Sequence, residues 1–188
     1  MAGKLNGVMP ATTPSGWRSE YMSMPVPTFS VYSPFSSCGM PQANSTTSSP
    51  RAHFHLDSAL SYGLPRVNQS GTLLEGIALW GELKPLLTMD AIVERALRYC
   101  DLAVSQGLLA IRSHVDVCDD RLLAVEALLH VKQQVAPYLD LQLVAFPQDG
   151  LHRSATAEKN LLRALDLGVD VVGGIPHFER TMADGARR

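Results

Sequence analysis

Charge is scarce in this chain, and what there is does not cluster. Of 188 residues only 18% are Asp, Glu, Lys or Arg, and the formal net charge is -2. Lys and Arg stand scattered apart from the terminal Arg187 and Arg188, so no basic surface is available for a nucleic acid or an anionic membrane. Long apolar runs are missing too. Nothing approaches the ~18 residues that a membrane span requires, and the N-terminus has no signal-peptide h-region. Cys38, Cys100 and Cys118 are the only cysteines. An odd number at no metal-like spacing argues against a disulfide framework and fits a reducing cytoplasm. What remains is 46% hydrophobic, enough for one domain with a core of its own.

The chain changes texture near residue 50. Residues 1–50 hold 10 Ser, 5 Thr and 7 Pro with no sustained period of 2 or 3.6. Such a stretch buries too little apolar surface to offset the entropy of ordering, so it reads as a disordered leader. "PVPTFSVYS" inside it has the residues of an edge strand, weakened by its prolines. Two basic residues in this leader are few for a transit peptide.

From residue 51 onward, periods alternate. "TLLEGIALWGELKPLL" (72–87) has a helical apolar period interrupted by Gly81 and Pro85. Residues 89–107 read as a helix with Thr88 as N-cap and Gly107 as its stop. Residues 108–117, 139–146 and 170–175 read as strands, and 121–136 and 156–168 as helices. Beyond the first unit the strands start about thirty residues apart, the length of a βα unit. Both faces of each strand are apolar, as in a parallel sheet covered by helices. This narrows the fold to a doubly wound sheet or a TIM-type barrel. The absence of a Gly-rich phosphate loop after the first strand counts against a dinucleotide fold.

In such folds chemistry collects at the carboxyl ends of the strands. Here those ends carry His53, His55 and Asp57, then His114 and Asp116, then Gln148, then His177. His53 and His55 are i and i+2, so on a strand they leave one face within reach of one ion, and imidazole suits Zn²⁺ or Fe²⁺. A bare H-x-H also arises by chance. His114 and Asp116 share a face, either as support for a site or as a hydrogen-bonded knot. Gln148, just past Pro147, is either an amide that reads the amide edge of a heterocycle or a turn-stabilising side chain. Gly173 and Gly174 either admit a ligand to the backbone or relieve a crowded interior. Cys118 reads as a small buried hydrophobe, and His130 and His152 as surface residues.

"HFHLD", "NQSGTLLEGIALW", "IRSHVDVCD", "VKQQVAPYLDLQLVAFPQDG" and "LGVDVVGGIPHFE", in this order and spacing, resemble the first half of the bacterial cytosine deaminases of the amidohydrolase superfamily. The resemblance runs through residues 51–181. It implies the N-terminal half of a metal-dependent (β/α)8 barrel, about four βα units, over residues 51–188. It implies a hydrolase of carbon–nitrogen bonds that converts cytosine and water to uracil and ammonia. His53 and His55 match the two metal ligands of the first strand, for one divalent ion, Fe²⁺ or Zn²⁺. Gln148 matches a glutamine that hydrogen-bonds the pyrimidine, and Leu73 a position whose backbone contacts it. His114, Asp116 and His177 are candidates for supporting roles around the ion. The implied partner is a small nucleobase-like molecule, and a homo-oligomer is compatible with the pattern.

The family's small β domain has no recognisable counterpart in the leader. Its remaining metal ligands and its acid/base glutamate are expected beyond Arg188, so no catalytic acid or base is assigned within the chain. The expectation is therefore an enzyme whose turnover needs more than this segment. The competing reading is a half-barrel that binds a partner or pairs with itself without turnover. Isoguanine, triazines and creatinine are rival substrates, because cytosine deaminases commonly carry a tryptophan where Val67 stands.

Overall fold

A computed structural model describes residues 51–186; the leader and its proposed edge strand lie outside them. Eleven elements follow in order, and four of them are strands of one sheet. β1 (Arg51–Phe54) leads through a long loop to α1 (Leu73–Leu83) and a 3-10 turn (Lys84–Leu86). Then come α2 (Met89–Ser105), β2 (Ala110–Asp116), α3 (Leu123–Val135), β3 (Asp140–Phe146), α4 (Ala157–Asp166) and β4 (Val171–Val172). A 3-10 turn (Pro176–Phe178) and a short α5 (Met182–Ala186) close the described chain.

The strands lie in sequence order, β1-β2-β3-β4, and every pairing is parallel. Parallel neighbours joined by helices are the repeat of a (β/α) barrel, and four such units form an arc of one. The longest pairing sets Ala110 opposite Asp140 and Asp116 opposite Phe146. Strands two and three therefore end level, with their carboxyl ends on one rim.

Local chemistry explains where the helices begin and stop. Thr72 and Thr88 cap α1 and α2, their side chains accepting from the N–H of Glu75 and Ala91, which satisfies donors the helix cannot. Gly107, at φ 83°, takes the left-handed conformation after α2 that residues with a Cβ adopt only at a cost. α3 starts two residues later than its apolar pattern suggests. Leu122 is left-handed at φ 52°, and the Arg121 guanidinium is held by Asp119 and the Lys84 carbonyl. Gly81, expected to interrupt the first helix, lies inside α1 without breaking it, whereas Pro85 does shift the chain to a 3-10 turn.

Ladder pairing in β4 is limited to Val171 and Val172, shorter than the expected 170–175. A Cβ on Gly173 would lie 2.7 Å from Val144 Cγ1 and 3.1 Å from Phe146 Cδ2. Gly173 thus relieves crowding rather than admitting a ligand, while Gly174 faces open space. Lys132 of α3 pairs with Asp170, whose other oxygen accepts from Leu143 N–H at 2.7 Å. That contact fastens the start of β4 to its neighbour.

Candidate metal centre and base-recognition site

His53 and His55 leave the end of β1 towards the concave side of the arc, away from the helices. β1 closes at Phe54, so His55 is just past the strand rather than in it. Their Nε2 atoms are nonetheless 3.2 Å apart. Two imidazole nitrogens ~2.0–2.1 Å from one ion and 3.2 Å from each other subtend roughly 100° at it, close to a tetrahedral angle. The residues present therefore fit a shared divalent ion as two of its ligands. Among the described residues, no group of three or more His, Cys, Asp or Glu is arranged to hold a metal.

His114 of β2 stacks on His53, ring centroids 4.0 Å apart, and lies 5.6 Å from His55. Phe146 meets both His55 and His114 edge-on, at 5.8 and 5.2 Å. The two first-strand rings are thus walled by a third imidazole and a phenyl. Burial, then the charges of His53 and His114, lower the His55 pKa to about 3. Burial, then His53, lower that of His114 to about 4, with the Phe54 backbone opposing. Both rings are neutral at pH 7, the state in which imidazole has a lone pair to give a metal. Among the described residues the buried Nδ1 of His114 has no hydrogen-bond partner.

Asp116 is buried and bonds away from His114. Its Oδ2 accepts from Trp80 Nε1 at 2.8 Å and pairs with Lys84 Nζ at 3.0 Å; its Oδ1 accepts from Cys118 N–H at 2.8 Å. Its own N–H donates to Asp57 Oδ2 at 3.0 Å, tying the ends of β1 and β2 together. Asp57 is fully enclosed, and burial raises its pKa to about 7. Of the two readings of the His114–Asp116 pair, the hydrogen-bonded knot describes Asp116. Trp80, Lys84 and Asp149 complete that knot and were not legible as site residues, because they meet across sequence gaps no local pattern encodes.

Gln148 is buried at the end of β3, its N–H bonded to Phe146 C=O at 2.9 Å. Its side-chain amide makes no hydrogen bond among the described residues, as suits a group kept for a ligand. Leu73, the first residue of α1, is exposed next to the Thr72 cap. His177 lies exposed in the turn after β4, apart from the histidine cluster. His130 and His152 are exposed. Cys118 is half-buried, and burial pushes its thiol up to about 12.

The parallel arc that carries these rings is shared with solved enzymes. The 5-methylcytosine deaminase of Klebsiella pneumoniae, liganded with 5-fluorocytosine, matches 71% of this chain at 45% identity and a TM-score of 0.69. Its structure with phosphonocytosine gives 0.68 at the same identity. Over that segment the chain is similar to enzymes of the amidohydrolase superfamily. It spans only 32% of the Klebsiella enzyme. Within the same superfamily, the N-isopropylammelide isopropyl amidohydrolase of Pseudomonas sp. (strain ADP) is 35% identical over 89 residues, 47% of this chain and 22% of that protein. The N-isopropylammelide isopropylaminohydrolase of Burkholderia multivorans, at 24% identity and a TM-score of 0.55, shares the fold over 66% of this chain and 31% of its own. No family model matches the chain. These relatives are hydrolases of carbon–nitrogen bonds, and the partial barrel of the sequence expectation is the observed fold.

Proposed function

We propose that this chain supplies the first-strand metal ligands and the base-recognition arm of a hydrolytic deaminase of cytosine or a 5-substituted cytosine. The observation that carries the reading is the convergence of His53 and His55 at 3.2 Å on the rim where Gln148 presents its unengaged amide. His53 and His55 would hold Fe²⁺ or Zn²⁺. A divalent ion there supplies the Lewis acidity that makes water a nucleophile near neutral pH. Gln148 orients the pyrimidine by offering a donor and an acceptor to its amide edge, and the backbone at Leu73 closes on it. His114 keeps the His53 ring in place by stacking, and Asp116 holds the rim together behind it. His177 lies in the turn after the fourth strand. The unpaired thiols Cys100 and Cys118 are in keeping with the cytoplasm.

The match to the ammelide enzyme supports a second reading, an amino-substituted triazine as substrate. A titration separates the two and tests the first. Zn²⁺-loaded protein is mixed with 5-fluorocytosine and followed by ¹⁹F NMR, with N-isopropylammelide as competitor. Gln148→Ala is expected to abolish 5-fluorocytosine binding while metal content stays. His53→Ala and His55→Ala are expected to lose the metal, and His177→Ala to retain it. Equal loss of both ligands in Gln148→Ala would make Gln148 structural and overturn the reading. Displacement by N-isopropylammelide at lower concentration than by cytosine would favour the triazine.

A further inference from the structure

Lys84 opens the 3-10 turn after α1, and its ammonium lies between two carboxylates that belong to different strand ends. Nζ is 3.0 Å from Oδ2 of Asp116, at the end of β2, and also pairs with Asp149, three residues past the end of β3. The two partners differ in kind. Asp116 is buried and already fixed by Trp80 Nε1, by Cys118 N–H and through its own N–H to Asp57. Asp149 is far more exposed, at 44% of its side chain, and among the described residues its other tether is its N–H on Cys118 Sγ at 3.4 Å, a weak acceptor. Rigidity therefore passes from the Asp116 knot through Lys84 to the turn Pro147–Asp149.

Gln148 is the middle residue of that turn. Nothing bonds to its amide among the described residues, so the backbone on either side sets where the amide points. We infer that Lys84 is a positioning residue for substrate recognition: by clamping Asp149 to the Asp116 knot it holds the Gln148 amide on the rim. The inference rests on the reading of Gln148 as the base-recognising group. Lys84 touches neither the metal ligands nor the proposed base.

The test uses Lys84→Met, Lys84→Arg and Asp149→Ala in the full chain. Asp149→Ala keeps the buried Lys84–Asp116 pair and so remains informative where Lys84→Met fails to fold. Three quantities are read: 5-fluorocytosine affinity by ¹⁹F NMR, Zn²⁺ affinity, and hydrogen exchange of the backbone amide at position 149, relative to the intrinsic rate of the residue there. Lys84→Met and Asp149→Ala are expected to weaken 5-fluorocytosine about tenfold, the scale of a displaced binding group. Both should speed exchange at position 149 and leave Zn²⁺ affinity unchanged, and Lys84→Arg should restore both properties. A lysine that merely neutralises Asp116 would leave Asp149→Ala at wild-type affinity and exchange, and that result overturns the inference. Wild-type protein that fails to bind 5-fluorocytosine overturns the Gln148 reading instead, and the recognition role of Lys84 with it.

Discussion

On the helix-covered face of the sheet, Ile111 and Val115 of β2 and Leu141, Leu143 and Ala145 of β3 are at most 2% exposed. They pack against Ile92, Ala96 and Cys100 of α2 and Val125, Leu128 and Val131 of α3. The alternate residues face the concave side. There His53 and Arg112 are exposed and His114 and Gln142 half-buried, while Val144 and Phe146 are buried. Arg112 spends its guanidinium on Gln142 across the ladder, at 2.6 Å. Strand alternation thus sorts one set of residues into a dry core and the other into a wall that mixes polar side chains with Val144 and Phe146. The difference teaches that stability is concentrated on the helix side, where each fully buried Leu or Val contributes ~1.5–3 kcal/mol. The residues proposed for recognition lie on the concave side, where only Val144 and Phe146 of β3 are packed and the polar groups stay available.

The sharpest way to break this comparison is to truncate one side chain to alanine on each face. Leu143→Ala is expected to lower stability by about 2–5 kcal/mol, the range for a buried leucine with a cavity left behind. Arg112→Ala on the concave side, where the side chain is exposed, should stay within ~0.5 kcal/mol. Urea denaturation of the two variants checks the pair. Similar losses would mean that the concave side is as well packed as the helix side, and the division would fail.

The division also accounts for what was legible in the sequence. The helix side is periodic, so α2, α3, α4, β2 and β3 were readable from apolar spacing to within a few residues, and the Thr88 cap and Gly107 stop from single residue types. β4 was not, because Gly173 is adjacent to it for steric reasons that only Val144 and Phe146 reveal. On the concave side, the H-x-H stood out because both rings leave one short segment. Its stacking partner His114 was visible only as a residue at a strand end. The knot of Trp80, Lys84, Asp116 and Asp149 joins residues up to 65 apart, and long-range polar contacts leave no period to read.

Metal should stabilise through the concave face alone. At a Zn²⁺ concentration a hundred times its Kd, linkage predicts a gain of about 2.7 kcal/mol. His53→Ala and His55→Ala should abolish that gain and leave the metal-free stability near wild type. Thermal melts with and without Zn²⁺ decide it. A large loss in the metal-free melt would assign the histidines to packing instead. A smaller effect is expected where the helix side carries a polar group. Asn160 of α4 is 2% exposed and donates to Asp120 Oδ1 at 2.7 Å. Asn160→Leu removes the donor without a cavity and should cost about 1–2 kcal/mol, read in the same urea series. No change would show that the helix side tolerates loss of this bond and that α4 is held by apolar contacts alone.

The smallest effect concerns Cys118, at the rim between the two faces. Exposure alone would make a half-buried thiol reactive. Its environment says otherwise: burial, then the Asp116 charge, raise its pKa to about 12, against the Asp149 N–H that donates to it. The thiolate is the nucleophile, so at pH 8 its population is about a thousandfold below that of a thiol with pKa near 9. The sign is fixed by the direction of the shift: lifting the pKa favours the neutral thiol, and reactivity should climb about tenfold per pH unit up to pH 11. An exposed thiol would level off near pH 9. Iodoacetamide labelling read peptide by peptide at pH 7, 8 and 9 checks the slope without perturbing the fold. Labelling of Cys118 as fast as glutathione at pH 8 would place the rim with the solvent-facing wall. Slow labelling with the full slope places it with the core, and the boundary between the faces then runs on the concave side of Cys118.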